Sequence, residues 1–222
     1  MGLTESPGTS PLRSGQTTST RPSCPAFEPQ LHARTAEACA LVTVRGIGEN
    51  DWLYAVGDIN HRALLTHIGK YQGRACANAI LARAKGTTIG DQAEWSQSVA
   101  KADHDMIPQV IFTDPQVASV GLTERDAKGL GLNTRSVDSD IGNLPGAQLK
   151  EEGYVGHAKL IVDEDNQVIV GATFIGPEVS DLMHSATVAI VGRVPINRLW
   201  HAVPSFPTVI EVWTELLVNY GS

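Results

Sequence analysis

The run Trp52-Leu53-Tyr54-Ala55-Val56-Gly57-Asp58, followed by a helical stretch from Ala63 to Lys85, restricts this chain more than any other feature. It reads as a short buried strand, a glycine turn, an acidic residue at the turn and then a helix. A carboxylate at that place accepts hydrogen bonds from ligand hydroxyls, and the first backbone N–H groups of the helix face electron-rich ligand atoms. Gly69, Gly73 and Ala77 leave one side of the helix small enough to pack closely on a sheet, and Gly86 stops it. Taken alone, Val56-Gly57-Asp58 has a simpler reading, in which Asp58 caps the helix and Tyr54 packs in a core.

Of the first 30 residues, 18 are Ser, Thr, Pro or Gly, with no apolar period, which predicts a disordered tail over residues 1–45. Ala40-Leu41-Val42-Thr43-Val44 is compatible with a strand. Gly46 and Gly48 begin a dinucleotide-type glycine pattern, but Asp51 stands where the third glycine belongs and no helix follows. Residues 46–86 then form the strand–helix unit and residues 87–106 a polar linker ending at Asp103-His104-Asp105. That triplet predicts a solvated loop rather than a metal site, because three consecutive residues cannot all face one ion. His61, His67 and His104 lack any metal-ligand spacing, so no metal is expected.

Residues 107–222 read as a self-contained unit. Gln109–Thr113 and Val117–Gly121 predict strands across Asp114-Pro115, and Thr123 caps a short helix. Residues 155–162 and 168–175 predict a hairpin rich in β-branched residues. Val179, Leu182, Met183, Ala186, Ala189 and Ile190 form one helical stripe; a last helix spans Thr208 to Asn219. Strands followed by helices on one side predict an antiparallel α+β domain. These stripes, with Trp200, Trp213 and Leu216, exceed what so small a sheet is expected to cover. A homodimer interface is therefore expected, the alternative being that they close the domain's own core.

A net charge of −7 argues against nucleic-acid or anionic-membrane partners. No run approaches the ~20 apolar residues of a membrane span. Cys24, Cys39 and Cys76 are too scattered for a disulfide framework, and no Cys-x-x-Cys pair exists. Without a signal-peptide pattern at the start, the expected location is the cytoplasm.

Two groups of residues carry a resemblance. Tyr54-Ala55-Val56-Gly57-Asp58 with Leu64-Leu65-Thr66-His67 resembles the second flavin-contacting motif of the pyridine nucleotide-disulfide oxidoreductases, whose members include dihydrolipoamide dehydrogenase and mercuric reductase. Val110 to Gly121, Lys159 to Val162, Val170 to Pro177 and Phe206-Pro207-Thr208 with Glu211 resemble that family's C-terminal dimerisation domain. The resemblance implies FAD as cofactor, with weak or no retention by these residues alone. Asp58, on the Gly57 turn, would hold a ribityl hydroxyl. The helix start at Leu65, Thr66 and His67 would face the pyrimidine edge of the flavin, where a helix N-terminus stabilises negative charge by about 0.3–1 kcal/mol.

The family's GxGxxG unit, redox cysteine pair and NAD(P)H domain have no counterpart in these residues, so the chain resembles the C-terminal portion of such an enzyme. Disulfide-reducing members place a histidine before the Pro-Thr, oriented by the glutamate, as an acid–base group. Here that position is Phe206, leaving Glu211 without an imidazole; His201, five residues upstream, is a candidate substitute. The resemblance thus implies part of an FAD-dependent NAD(P)H oxidoreductase whose acceptor is not a disulfide. The alternative is a non-catalytic dimerisation module that pairs with itself or with a full-length paralogue.

Overall fold

A computed structural model describes residues 42–43, 54–86, 95–103 and 106–221. The expected tail up to residue 41, the Gly46–Asp51 glycine pattern, His104 and Asp105 lie outside the described residues. β1 (Val42–Thr43) pairs antiparallel with β2 (Tyr54–Ala55). The strand compatible with Ala40–Val44 therefore falls inside the stretch assigned to the tail.

After β2 the chain makes a 3-10 turn over Gly57–Asn60 and enters α1 (Thr66–Ala84). The helix begins three residues later than its hydrophobic pattern predicts. The cause is local: His61 adopts a left-handed φ of 55°, and Arg62 N–H donates to Asn60 Oδ1 at 3.1 Å. That Asx-type turn spends residues 60–65 on redirecting the chain.

The expected linker is not a solvated spacer where it is described. Ser98, Val99, Ala100 and Asp103 are buried. The segment lies along α1: Tyr71 Oη donates to Val99 O and accepts from Ala102 N, and Asn78 Nδ2 donates to Gln97 O. Asp103, expected in a solvated triplet, is among the most buried residues of the chain. A sequence window sees only that these residues are polar; here the polarity serves bonding to a helix.

The second unit is built on five antiparallel strands: β3 (Gln109–Ile111), β4 (Gln116–Gly121), β5 (Thr134–Asp140), β6 (His157–Asp163) and β7 (Val168–Gly176), in the order β3-β4-β7-β6-β5. Helices α2 (Glu124–Gly129), α3 (Pro145–Lys150), α4 (Met183–Val191), α5 (Ile196–Leu199) and α6 (Val212–Tyr220) complete it. The Thr123 hydroxyl caps α2 by accepting from Asp126 N–H at 3.1 Å, as its sequence predicts. The whole is the antiparallel α+β domain expected from the sequence.

One face of the sheet presents Ala118, Val120, Val137, Ala158, Leu160, Val162, Ala172 and Phe174 to α4 and α6. Every member of the Val179–Ile190 stripe is buried within this one chain, as are Val212, Trp213, Leu216 and Leu217. Contrary to the expectation from sequence, the stripes therefore need no second subunit to cover them. The sheet is larger than its apolar runs predict, because β5 adds a fifth strand, and α6 packs on β5 and β6. Strand β5 reads Thr-Arg-Ser-Val-Asp-Ser-Asp and buries only Val137, so it offers no apolar alternation to detect. Among the described residues no helix is long and apolar enough to cross a membrane.

Candidate functional site

Gly57 takes φ +76°, a backbone conformation that side-chain-bearing residues rarely adopt. The turn lies flat on α1, since a Cβ added to Gly69 would stand 3.4 Å from Gly57 Cα. Two glycines facing each other thus bring strand end and helix into direct contact. Asp58 follows on the outside of the turn: it is exposed, and its carboxylate has no hydrogen-bond partner among the described residues. Leu65 is the N-cap of α1, and no side chain caps this end of the helix. Thr66 and His67 occupy the first helical turn, both exposed. An open carboxylate and an uncapped helix start therefore belong to one corner. A ligand offering hydroxyls and an electron-rich edge matches that donor–acceptor set.

The ring of His67 does not serve that corner directly. Its Nε2 lies 2.8 Å from the Pro108 carbonyl, so this nitrogen donates and ties α1 to the entry of the five-stranded unit.

The turn is held from beneath by residues that the sequence reading passed over. Gln72 is 1% exposed, on the buried face of α1 with Ile68, Ala75, Cys76 and Ala79. Its Oε1 accepts from Gly57 N–H at 2.7 Å and from Asn60 Nδ2 at 2.8 Å. Its Nε2 donates to Asp103 Oδ2 at 3.0 Å, which also accepts from Arg62 Nη1 at 3.0 Å. A signal did exist: a glutamine at helical spacing inside an otherwise apolar stripe. Cys76 lies on the same face, and burial pushes its thiol pKa up, which keeps it unreactive.

The second candidate region is the segment before α6. Phe206 is 73% exposed and precedes Pro207 through a cis peptide bond. Glu211 does not stand idle for want of an imidazole. Its Oε2 accepts from Thr208 N–H at 3.1 Å, and with the Thr208 side chain it forms a capping box over the 3-10 turn Val209–Glu211. His201 is exposed, and its ring makes no hydrogen bond among the described residues, so no His201–Glu211 pair is formed. The structure brings Glu211 and Thr208 together and leaves Phe206 and His201 apart from any acid–base partner.

A histidine outside the sequence candidates does have carboxylate partners. His157 Nε2 sits 2.9 Å from Asp138 Oδ1 and its Nδ1 3.2 Å from Asp140 Oδ1, and chiefly the Asp138 bond raises its pKa. It borders an open cleft of about 490 Å³ with Asn143, Glu215 and Asn219, which none of the sequence candidates lines. Among the described residues no group of three or more His, Cys, Asp and Glu is arranged to hold a metal ion.

Comparison with known proteins follows the same division. Residues 107–217 match the model of the pyridine nucleotide-disulphide oxidoreductase dimerisation domain. Dihydrolipoyl dehydrogenase from Chlamydia muridarum is 32% identical over 163 residues, covering 73% of this chain and 32% of that protein. Mercuric reductase from Staphylococcus aureus is 28% identical over 162 residues, covering 73% and 27%. The chain thus spans about a third of the length of the curated relatives it matches.

Among solved structures, the HOCl-induced flavoprotein disulfide reductase RclA from Escherichia coli aligns with a TM-score of 0.60 at 20% identity, over 76% of this chain and 35% of that one. LpdA from Mycobacterium tuberculosis aligns with a TM-score of 0.60 at 20% identity, over 75% and 33%. At those identities the likeness concerns the fold. With half of its length matched to the family's dimerisation domain, this chain belongs to the pyridine nucleotide-disulfide oxidoreductase family.

Proposed function

We propose that residues 46–86 form the flavin-facing corner of an FAD-dependent NAD(P)H oxidoreductase and that residues 107–222 form its dimerisation domain. One observation carries this reading: the Asp58 carboxylate, exposed and without a hydrogen-bond partner among the described residues, stands on a turn packed against the uncapped start of α1. FAD would supply two-electron redox chemistry at this corner. Asp58 would accept hydrogen bonds from ribityl hydroxyls, and the helix start at Leu65, Thr66 and His67 would face the pyrimidine edge. Gly57 lets the turn lie against Gly69, so that corner and helix approach one ligand together.

The acceptor in this reading is not a disulfide. A phenyl ring at Phe206 moves no proton, and Glu211 is committed to the Thr208 capping box. An aromatic face suits an acceptor that stacks. A homodimer is proposed through the exposed loop carrying Trp200, Val203 and Phe206, which are 45%, 84% and 73% exposed. The proposed compartment is the cytoplasm, in keeping with three scattered cysteines.

The same pair of facts favours a second reading. With neither Phe206 nor Glu211 available for acid–base work, the chain would act as a non-catalytic dimerisation module, pairing with itself or with a full-length paralogue. Three measurements on the purified chain separate the two: a flavin absorbance spectrum, NADH or NADPH oxidation with a dye acceptor, and sedimentation. Flavin colour with turnover supports the oxidoreductase, and a colourless dimer supports the module. A monomer at tens of micromolar, an order-of-magnitude threshold for weak association, contradicts the dimer in both.

A further inference from the structure

A leucine would fill the place of Gln72 on the buried face of α1 at no desolvation cost, since its stripe neighbours are Ile68, Ala75, Cys76 and Ala79. A buried primary amide is tolerated there only because its bonds are made. Two of them hold the Gly57–Asn60 turn and the third reaches Asp103. The orientation of the amide is fixed by its partners: Gly57 N–H and Asn60 Nδ2 are donors and require the oxygen, whereas the Asp103 carboxylate is an acceptor and requires the NH₂. Arg62 Nη1 balances the Asp103 charge at 3.0 Å, and Arg62 N–H returns to Asn60 Oδ1 at 3.1 Å. The bonds close a loop through Gln72, Asp103, Arg62 and Asn60, with the Gly57–Asn60 turn inside it.

We propose that Gln72 is a positioning residue: its amide fixes the Gly57–Asn60 turn and so the direction from which Asp58 meets a flavin. The second half of this statement rests on the flavin reading above; the first half does not. Asp103 anchors the amide from the segment leading into the five-stranded unit. His67 adds a second tie five residues later in the contacting segment, to Pro108 O. The corner's geometry is therefore set jointly by α1 and by the chain that enters the dimerisation domain.

The test uses the isotopically labelled full chain and two variants, Gln72→Leu and Gln72→Glu. Amide exchange is read at Gly57, with Leu122, whose N–H bonds Val170 O at 2.8 Å in the sheet, as the marker that each variant is folded. Gln72→Leu should speed exchange at Gly57 about tenfold, the loss of one part-buried hydrogen bond, with Leu122 unchanged.

Gln72→Glu places a second carboxyl against Asp103. At about pH 5 protonation of the introduced acid, which burial and a neighbouring carboxylate favour, lets it donate to Asp103; at about pH 8 two carboxylates face each other. Gly57 protection in that variant should approach the native level in acid and fall to the Gln72→Leu level in base, a pH gate that a space-filling role would not produce. Equal exchange at Gly57 in all three proteins, or a Gln72→Glu variant indifferent to pH, overturns the proposal. Riboflavin, which carries the ring and ribityl chain alone, separates the two halves. Weaker riboflavin binding in Gln72→Leu supports the flavin-directed role. Exchange that responds while riboflavin perturbs no amide of the turn overturns the flavin-directed half and leaves the hold on the turn.

Discussion

Gly146 stands at the first turn of α3, where it meets the backbone of Thr208. A Cβ added there would lie 2.2 Å from Thr208 C, 2.4 Å from its Cα and 2.6 Å from its N. Carbon atoms in contact need about 3.5–4.0 Å, so Gly146→Ala forces roughly 1.5 Å of separation. The obstructing atoms are backbone, and no flexible side chain can swing aside. Moving the Thr208 segment also strains the capping box in which Thr208 N–H donates to Glu211 Oε2 at 3.1 Å.

Overpacking of this kind costs about 1–3 kcal/mol, and a weakened cap adds about 1 kcal/mol. A total of about 2–4 kcal/mol corresponds to a fall in Tm of roughly 10–20 °C for a domain of this size. Thermal unfolding followed by circular dichroism reads it directly. Gly129→Ala is the control: it ends α2, nothing lies within 4 Å of its added Cβ, and it should be neutral or slightly stabilising. A Gly146→Ala protein with native Tm would refute the close approach of α3 to the Phe206–Glu211 segment.

The remaining predictions concern the core and one surface histidine. Phe174 is fully buried and its ring lies 6.4 Å from that of Trp213. Phe174→Ala should cost about 3–5 kcal/mol, a large share of an ordinary domain's total, seen as a lower urea midpoint with loss of tryptophan signal. His157 has a pKa raised above 6.5, mainly by its bond to Asp138. Its contribution is fully present below the unfolded value and is lost as pH rises through the raised folded value. Because its side chain is 45% exposed, solvent limits the effect to well under about 1 kcal/mol. Urea midpoints should therefore drop slightly from about pH 6 to about pH 8, and His157→Gln should remove that drop; an unchanged slope in the variant contradicts the assignment.

The sequence made the second unit legible because most of its elements announce themselves through period. The β6–β7 hairpin is dense in β-branched residues, the Val179–Ile190 stripe repeats at helical spacing, and Thr123 sits where a cap belongs. Strand β5 did not, because an edge strand with one buried residue carries no alternation. Without it the sheet looks too small for its helices, so the burial of α4 and α6 pointed to a second subunit rather than to this chain's own sheet. At the candidate site, the Gly57–Asp58 turn and the start of α1 were readable from local chemistry. The bonds beneath them were not: Gln72 and Asp103 are 31 positions apart, and only folding reveals that they meet. Glu211 shows the converse, in which a motif suggested a catalytic remnant and the local backbone employs the residue as a cap.

The central claim is that the corner formed by Gly57, Asp58 and the first turn of α1 is a flavin-binding half-site. The direct measurement is titration of the labelled chain with FAD, following backbone amide shifts, for the native protein and for Asp58→Ala. The account predicts saturable shifts at Asp58, Leu65, Thr66 and His67 that weaken about tenfold or more when the carboxylate and its charge-assisted hydrogen bonds are removed. Shifts elsewhere in the chain with none at these residues, or an affinity that Asp58→Ala leaves untouched, would contradict it.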